Sequence, residues 1–316
     1  MVVEGVGAVI EYLEQLVAER RWAEAVKLGE QLLNDSGNSP EATLRIQSAL
    51  VIAKGMMRDY PGSLFLGEAA VSLAQRLGDW DKFGEICLNV GATSWHMGEL
   101  GKSEHFLLQF VAHQPMIANH SRWEAAIWYN LGKVYTSRGE GEQAARAFDR
   151  AVSEAVRHGD LRYAHGVRQA LIEAFLKIGD LRRVPRLLAQ SGAYLRSNPE
   201  AESARTSRLF FLRLRVEYCL STGRLQRALA VSLRGLAESE GEHRHLHDFH
   251  MLLARGFYKM GSCAEALGHC LSARACAVAC NRHDLESMAM DCAFEILRLH
   301  PETAQAVERL FQLEPT

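Results

Sequence analysis

The chain has 316 residues, 48% hydrophobic and 23% charged, with 36 basic against 38 acidic side chains and a net charge of -2. That balance excludes a disordered chain and gives no global electrostatic pull toward nucleic acid or a membrane surface. No apolar run approaches the roughly 18 residues that span a bilayer, and seven prolines in a chain dominated by Ala, Leu, Arg and Glu suit an all-helical protein.

Taken from the N-terminus, MVVEGVGAVIEY has no basic leader, and Glu4 and Glu11 bracket its short apolar run, so it is a poor signal peptide. A Gly-plus-acid phrase then recurs: GDW at Gly78, GEL at Gly98, GEG at Gly139, and GDL at Gly159 and Gly179, with Gly223 and Gly261 continuing the series. Each falls between two amphipathic stretches. Glycine accepts the left-handed conformation that ends many helices, and the acid suits the start of the next one.

Between these turns the stretch IWYNLGKVYTSRGEGEQAARAFDRA, from Ile127 to Ala151, can be slid along the chain. With Gly132 as reference, its counterparts are Leu13, Val51, Gly91, Ile172, Val216 and Ala254, at steps of 38, 40, 41, 40, 44 and 38 residues. A period near 40 that holds two helices and two turns is a solenoid unit, whose apolar face is buried only when neighbours stack. The longest step contains 190–206, where a bend is expected. Further on, Asp284 to Leu299 reads as one more helix, and Pro301 sits where a last helix would begin, so 284–313 is expected to cap the array.

Trp128, Leu131, Gly132, Tyr135, Ala144, Phe148 and Ala151 together resemble the tetratricopeptide repeat, which that one unit matches at almost every position. The other units match loosely: Phe175 and Phe257 take the place of Tyr135, Ala228 and Ala266 that of Ala144, and Ser94 and Ser103 replace the aromatic and the alanine beside Gly91. The resemblance implies an all-α fold, a right-handed superhelical α-solenoid of about seven to eight helix-turn-helix repeats in a single domain over 1–316. The long repeats resemble the peptide-sensing domains of Rap- and PlcR-type regulators and the Pins/LGN-type scaffolds. Those regulators usually carry an N-terminal DNA-binding or effector module. Here the pattern starts near Val9, so the effector is expected to be a separate protein, or the chain a stand-alone adaptor.

In such a solenoid the first helix of each pair lines the concave side. Asn89 and Asn130 both lie two residues before the reference glycine of consecutive units, which places them on adjacent inner helices. An Asn amide can pair with peptide backbone whatever the side chains, and the family often uses asparagine there. Around them the expected groove holds Trp95, Tyr129, Lys133, Glu173, Arg213, Arg255 and Tyr258, with Glu85, His96, Gln169 and Glu217 beside them. Aromatic and arginine anchors suit a peptide or protein segment as partner. A regulator of a signalling enzyme, phosphatase-like in action, and a structural assembly adaptor that self-associates into a homo-oligomer are the alternatives.

Three further patterns point elsewhere less strongly. From Arg182 to Arg234 there are eleven arginines, no lysine and three acids. Arg182, Arg186, Arg224, Arg227 and Arg234 fall on turns and second helices, so a solvated outer face is expected in preference to nucleic-acid binding. His243, His245, His247 and His250 are followed by His269 and five cysteines, which zinc could use. No C-x2-C pair occurs, however, and His250 and Cys270 occupy packing positions, so no metal is expected. No phosphate loop, H-E-x2-H or G-x-S-x-G motif is present, and neither catalytic residues nor a cofactor are expected. The seven cysteines lie in helical patterns and read as reduced thiols of a cytoplasmic protein.

Overall fold

The computed structural model describes residues 2–34, 37–199 and 204–305. It holds fifteen α-helices: α1 Val2–Ala18, α2 Trp22–Leu33, α3 Pro40–Met56, α4 Tyr60–Leu77, α5 Trp80–His96, α6 Leu100–His113, α7 Ser121–Arg138, α8 Gly141–Arg157, α9 Leu161–Ile178, α10 Val184–Ser197, α11 Ala204–Ser221, α12 Leu225–Glu238, α13 His243–Lys259, α14 Cys263–Ala279 and α15 His283–Leu299. There is no strand among the described residues. The helices form consecutive hairpins, α1/α2 to α13/α14, and α15 opens an eighth. Contacts divide the chain into two compact units between Val167 and Arg168, inside α9, and each unit is described by itself. Residues 200–203 of the expected bend, and 306–313 of the expected cap, lie outside the described residues.

Local chemistry sets the hairpin turns. All seven glycines of the Gly-plus-acid series have φ between 70° and 81°. At Gly78 the Asp79 N–H bonds back to Ala74 O at 3.0 Å and the Gly78 N–H to Gln75 O at 3.2 Å, the paired bonds of a Schellman end. Asp79 then caps α5 by accepting from Lys82 N at 3.0 Å, and Asp160 does the same for Tyr163 N at 2.8 Å. Glu99 and Glu140, one carbon longer, make no such cap. In three other turns a residue other than glycine holds the same left-handed position: Arg20, Arg58 and Asn281, with φ of 61°, 65° and 53°.

The packing follows one rule. All seven reference residues are buried: Leu13, Val51, Gly91, Gly132, Ile172, Val216 and Ala254. Twelve residues beyond each, on the second helix, stand Ala25, Ser63, Ser103, Ala144, Val184, Ala228 and Ala266, also buried. Six of these seven are Ala or Ser, which lets the two helices of a hairpin cross closely. In two hairpins the serine adds a bond to the partner backbone, Ser63 Oγ to Val51 O at 2.8 Å and Ser103 Oγ to Gly91 O at 2.7 Å.

A second site four residues further along joins one hairpin to the next. A Cβ on Gly29 would lie 2.7 Å from Leu50, and one on Gly67 would lie 2.2 Å from Val90. Leu50 and Val90 each stand immediately before the reference residue of the following repeat, so they act as wedges seated on the preceding second helix. In the α7/α8 hairpin the exchange runs the other way, with Phe148 lying over Gly132, whose Cβ would meet the ring at 2.6 Å. Buried aromatic and aliphatic side chains complete the cores, with Phe83, Phe110, Leu107 and Leu131 in the first unit and Leu209, Leu212, Val216 and Phe249 in the second.

Gly132→Val should destabilise the protein by about 2 kcal/mol, because Phe148 is buried and cannot swing aside. Arg58→Gly should stabilise it by up to about 1 kcal/mol by relieving a left-handed residue with a side chain. Urea unfolding of the two variants checks both signs; a Gly132→Val protein as stable as wild type would contradict the close-crossing rule.

Candidate functional site

Within the first unit the first helices touch in order, α1 with α3, α3 with α5 and α5 with α7, while α2, α4, α6 and α8 make no comparable contact with one another. Successive hairpins therefore close up on their first-helix side, which becomes the inner face of that unit. In the second unit α11 meets α13 in the same way.

Polar rungs between successive repeats stud this face. In the first unit Arg45 reaches Glu14 at 2.6 Å, Ser48 reaches Glu85 at 3.3 Å and Trp95 Nε1 donates to Ser137 Oγ at 3.2 Å. In the second unit Arg213 pairs with Glu173 at 3.2 Å, Arg255 with Glu217 at 3.1 Å, and Gln169 donates to Ser207 O at 2.9 Å. Each rung joins residues 31 to 42 apart in sequence, about one repeat. Four expected groove residues, Glu173, Arg213, Glu217 and Arg255, are thus already paired with each other. Tyr258 packs edge-on against His300, with ring centroids 6.1 Å apart.

In the first unit the expected residues gather into a cluster centred on Lys133. Its Nζ lies 3.5 Å from the centroid of the Trp95 ring and 5.6 Å from that of Tyr129. Tyr129 in turn packs edge-on against Tyr163 at 6.1 Å, and His96 stacks on Tyr60 at 5.1 Å. Among the described residues Lys133 forms no ion pair. Burial pushes its ammonium down to about 8, and burial with the Lys133 charge pushes His96 down too. An electropositive, partly dehydrated group in an aromatic setting can accept an anion or a polarised carbonyl.

Asn89 and Asn130 take equivalent places on α5 and α7. Each folds its amide back onto its own helix, Asn89 Nδ2 to Glu85 O and Asn130 Nδ2 to Ala126 O, both at 2.9 Å. Half of each amide, the carbonyl oxygen, remains turned away from that bond. Asn130 is the more buried, at 8% exposure. Tyr163 and Tyr60 were not expected in this cluster: they lie far from the reference residue in sequence, and only the packing of their helices brings them in.

The C-terminal histidines are used for packing. His247 Nε2 lies 3.2 Å from Leu285 O, and His250 Nδ1 lies 3.1 Å from His269 Nδ1, with burial pushing His250 down to about 4. Among the described residues no three His, Cys, Asp or Glu side chains converge as a metal site would require. No described helix is long and apolar enough to cross a membrane.

Hairpins of about 40 residues that cross at small side chains, stack through wedges and align their first helices make an α-solenoid with a tetratricopeptide-repeat-like fold. The chain matches no family model and no curated protein in sequence. In fold it is similar to the apo form of the quorum sensor NprR from B. thuringiensis, with TM-score 0.66 and 13% identity over 96% of this chain and 83% of that one. A tetratricopeptide repeat protein from Parabacteroides merdae matches with TM-score 0.63 and 14% identity over 91% of this chain and 99% of that one. NprR in complex with its cognate peptide NprX matches with TM-score 0.62 and 11% identity over 97% and 87%. At such identities the likeness establishes the fold.

The Lys133 ammonium has a direct energetic signature. Its folded value lies below the ordinary 10.5, so the folded state resists carrying this proton. The resulting loss of stability is fully present below pH 8 and is relieved as pH rises from about 8 toward 10.5. Lys133→Met should therefore melt higher than wild type at pH 7, and the gap should narrow by pH 10. A gap independent of pH would refute the buried-ammonium account.

Proposed function

We propose that this chain is a non-enzymatic binding solenoid, a single array over 1–316, which holds an extended peptide or partner segment against its first helices. It would act in the cytoplasm as a regulator in signalling. The observation that carries the proposal is Lys133, which lies between Trp95 and Tyr129 on the face where the first helices close up and forms no ion pair among the described residues. A cation kept there at a cost in stability is a feature for a ligand rather than for the fold. NprR, similar in fold, binds a cognate peptide, NprX, which supports the same ligand class here.

In the proposed complex Lys133 takes a carboxylate or backbone carbonyl of the ligand, and Trp95 and Tyr129 flank an adjoining apolar side chain. Asn89 and Asn130 hold ligand backbone through their amides after exchanging the bond to their own helix. Glu173, Arg213, Arg255 and Tyr258 would extend the contact surface in the second unit, where opening a rung frees a charged group. The seven free thiols fit a reducing compartment.

Native mass spectrometry of the protein purified gently from its own cells tests this. A peptide adduct is expected, and titration of the recovered peptide should show at least a tenfold loss of affinity in Asn89→Ala/Asn130→Ala and in Lys133→Met, with circular dichroism unchanged. Undiminished affinity in both variants would remove these residues from the binding site. Stable self-association without any adduct would favour the assembly adaptor instead.

A further inference from the structure

The arginine-rich stretch from Arg182 to Arg234 has a structure that its sequence does not disclose. Five of its eleven arginines are neutralised: Arg182 by Asp180, Arg205 by Glu242, Arg208 and Arg234 by Glu238, and Arg213 by Glu173. Four of the remaining six, Arg196, Arg215, Arg224 and Arg227, line one cavity of about 540 Å³ at the junction of α10, α11 and α12. No acidic side chain lines it, and none of the four forms an ion pair among the described residues. The rest of the wall is apolar, chiefly Leu188, Phe211 and Tyr218.

Arg215 is the informative member. It stands immediately before its reference residue, the wedge position that in the other repeats with a preceding hairpin holds Leu50, Val90, Leu131, Leu171 and Leu253, each at most 1% exposed. A leucine there would close the gap against Leu188, as Leu50 closes over Gly29. Instead the guanidinium sits half-buried, facing a neighbouring positive charge from Arg227, with burial and that charge together making it easier to deprotonate than usual. Arg215 lies 5.6 Å from the Phe211 ring centroid and Arg224 lies 5.9 Å from that of Tyr218. The aromatic faces hold both forks in place.

The geometry points to a ligand pocket in the second unit, separate from the first-helix face, for a small organic phosphate of the nucleotide class. Four guanidiniums around one small space call for several negative charges on few atoms, which phosphates supply and a single carboxylate does not. The volume is in the range of small-molecule sites. Leu188, with the parts of Phe211 and Tyr218 that line the pocket, supplies an apolar wall against which a base packs. Nucleic acid would require a basic stripe running along the surface, whereas these four side chains, Arg215 half-buried and Arg196, Arg224 and Arg227 exposed, border one open pocket.

Isothermal titration of the full chain with ATP, GTP, ADP, inorganic pyrophosphate and a hexaglutamate peptide tests the assignment. At least one nucleotide should saturate at one per chain, with affinity falling as salt is raised. Arg215→Leu should weaken it at least tenfold while melting no lower than wild type, since leucine restores the ordinary wedge. Arg224→Gln/Arg227→Gln should lose at least tenfold as well. The inference fails if no nucleotide saturates, if Arg215→Leu binds as wild type does, or if hexaglutamate binds more tightly than every nucleotide. Pyrophosphate binding as tightly as the nucleotides would overturn the organic part of the ligand. The first-helix variants Asn89→Ala/Asn130→Ala should leave this titration unchanged.

Discussion

Close approach of the two helices in each hairpin is the constraint from which the rest follows. It requires a small side chain where the helices cross, and Ala25, Ser63, Ser103, Ala144, Ala228 and Ala266 supply it at a constant distance of twelve residues from the reference position. Once that spacing is met, the reference residue itself is free to vary from Gly132 to Leu13, because volume can be exchanged across the crossing. Where the reference is glycine, Leu107 or Phe148 reaches over it; where it is large, Gly29 or Gly67 stands sixteen residues on. Degeneracy in the repeat is therefore conservation of volume with its location changed.

Stacking of one hairpin on the next depends on a different residue, the wedge just before the reference. Leu50 and Val90 show how tightly it seats, with the preceding second helix reduced to glycine at the contact. The α9/α10 hairpin breaks both rules at once. Ile172, Val184 and Leu188 put bulk at all three positions that elsewhere include a small residue, and the wedge that follows is Arg215. The outcome is a cavity with charge on its walls in place of a sealed apolar seam. Local failure of an otherwise uniform packing rule is where function is to be sought, since selection for stability alone would restore the leucine.

The inner face uses its charges in another way. Most are spent on rungs between successive repeats, such as Arg213 with Glu173 and Arg255 with Glu217, half-exposed pairs that each contribute at most about 1 kcal/mol and set the alignment of neighbours more than their stability. Lys133 is the exception on that face. It lies over aromatic rings, forms no ion pair among the described residues and is desolvated, which distinguishes a group held for a ligand from one that ties the scaffold together.

Helices, turns and repeat length were legible in the sequence because they are decided by neighbours along the chain. Glycine ends a helix with a left-handed residue, and Asp79 or Asp160 starts the next, whatever lies outside; Arg20 and Arg58 escaped because nothing in an arginine side chain announces a left-handed backbone, whereas Asn281 is of a type that adopts it readily. The tetratricopeptide resemblance was carried by the single hairpin around Gly132, and its spacing was enough to place every other reference residue in the core. What the sequence could not determine was which polar residues face one another. Glu173 and Arg213 read equally well as groove residues and as a rung; Arg224 and Arg227 read as solvated surface and are exposed, and only the packing shows that they line one pocket with Arg215. Pairing of that kind is set by how helices some forty residues apart come to rest, and only the tertiary structure decides it.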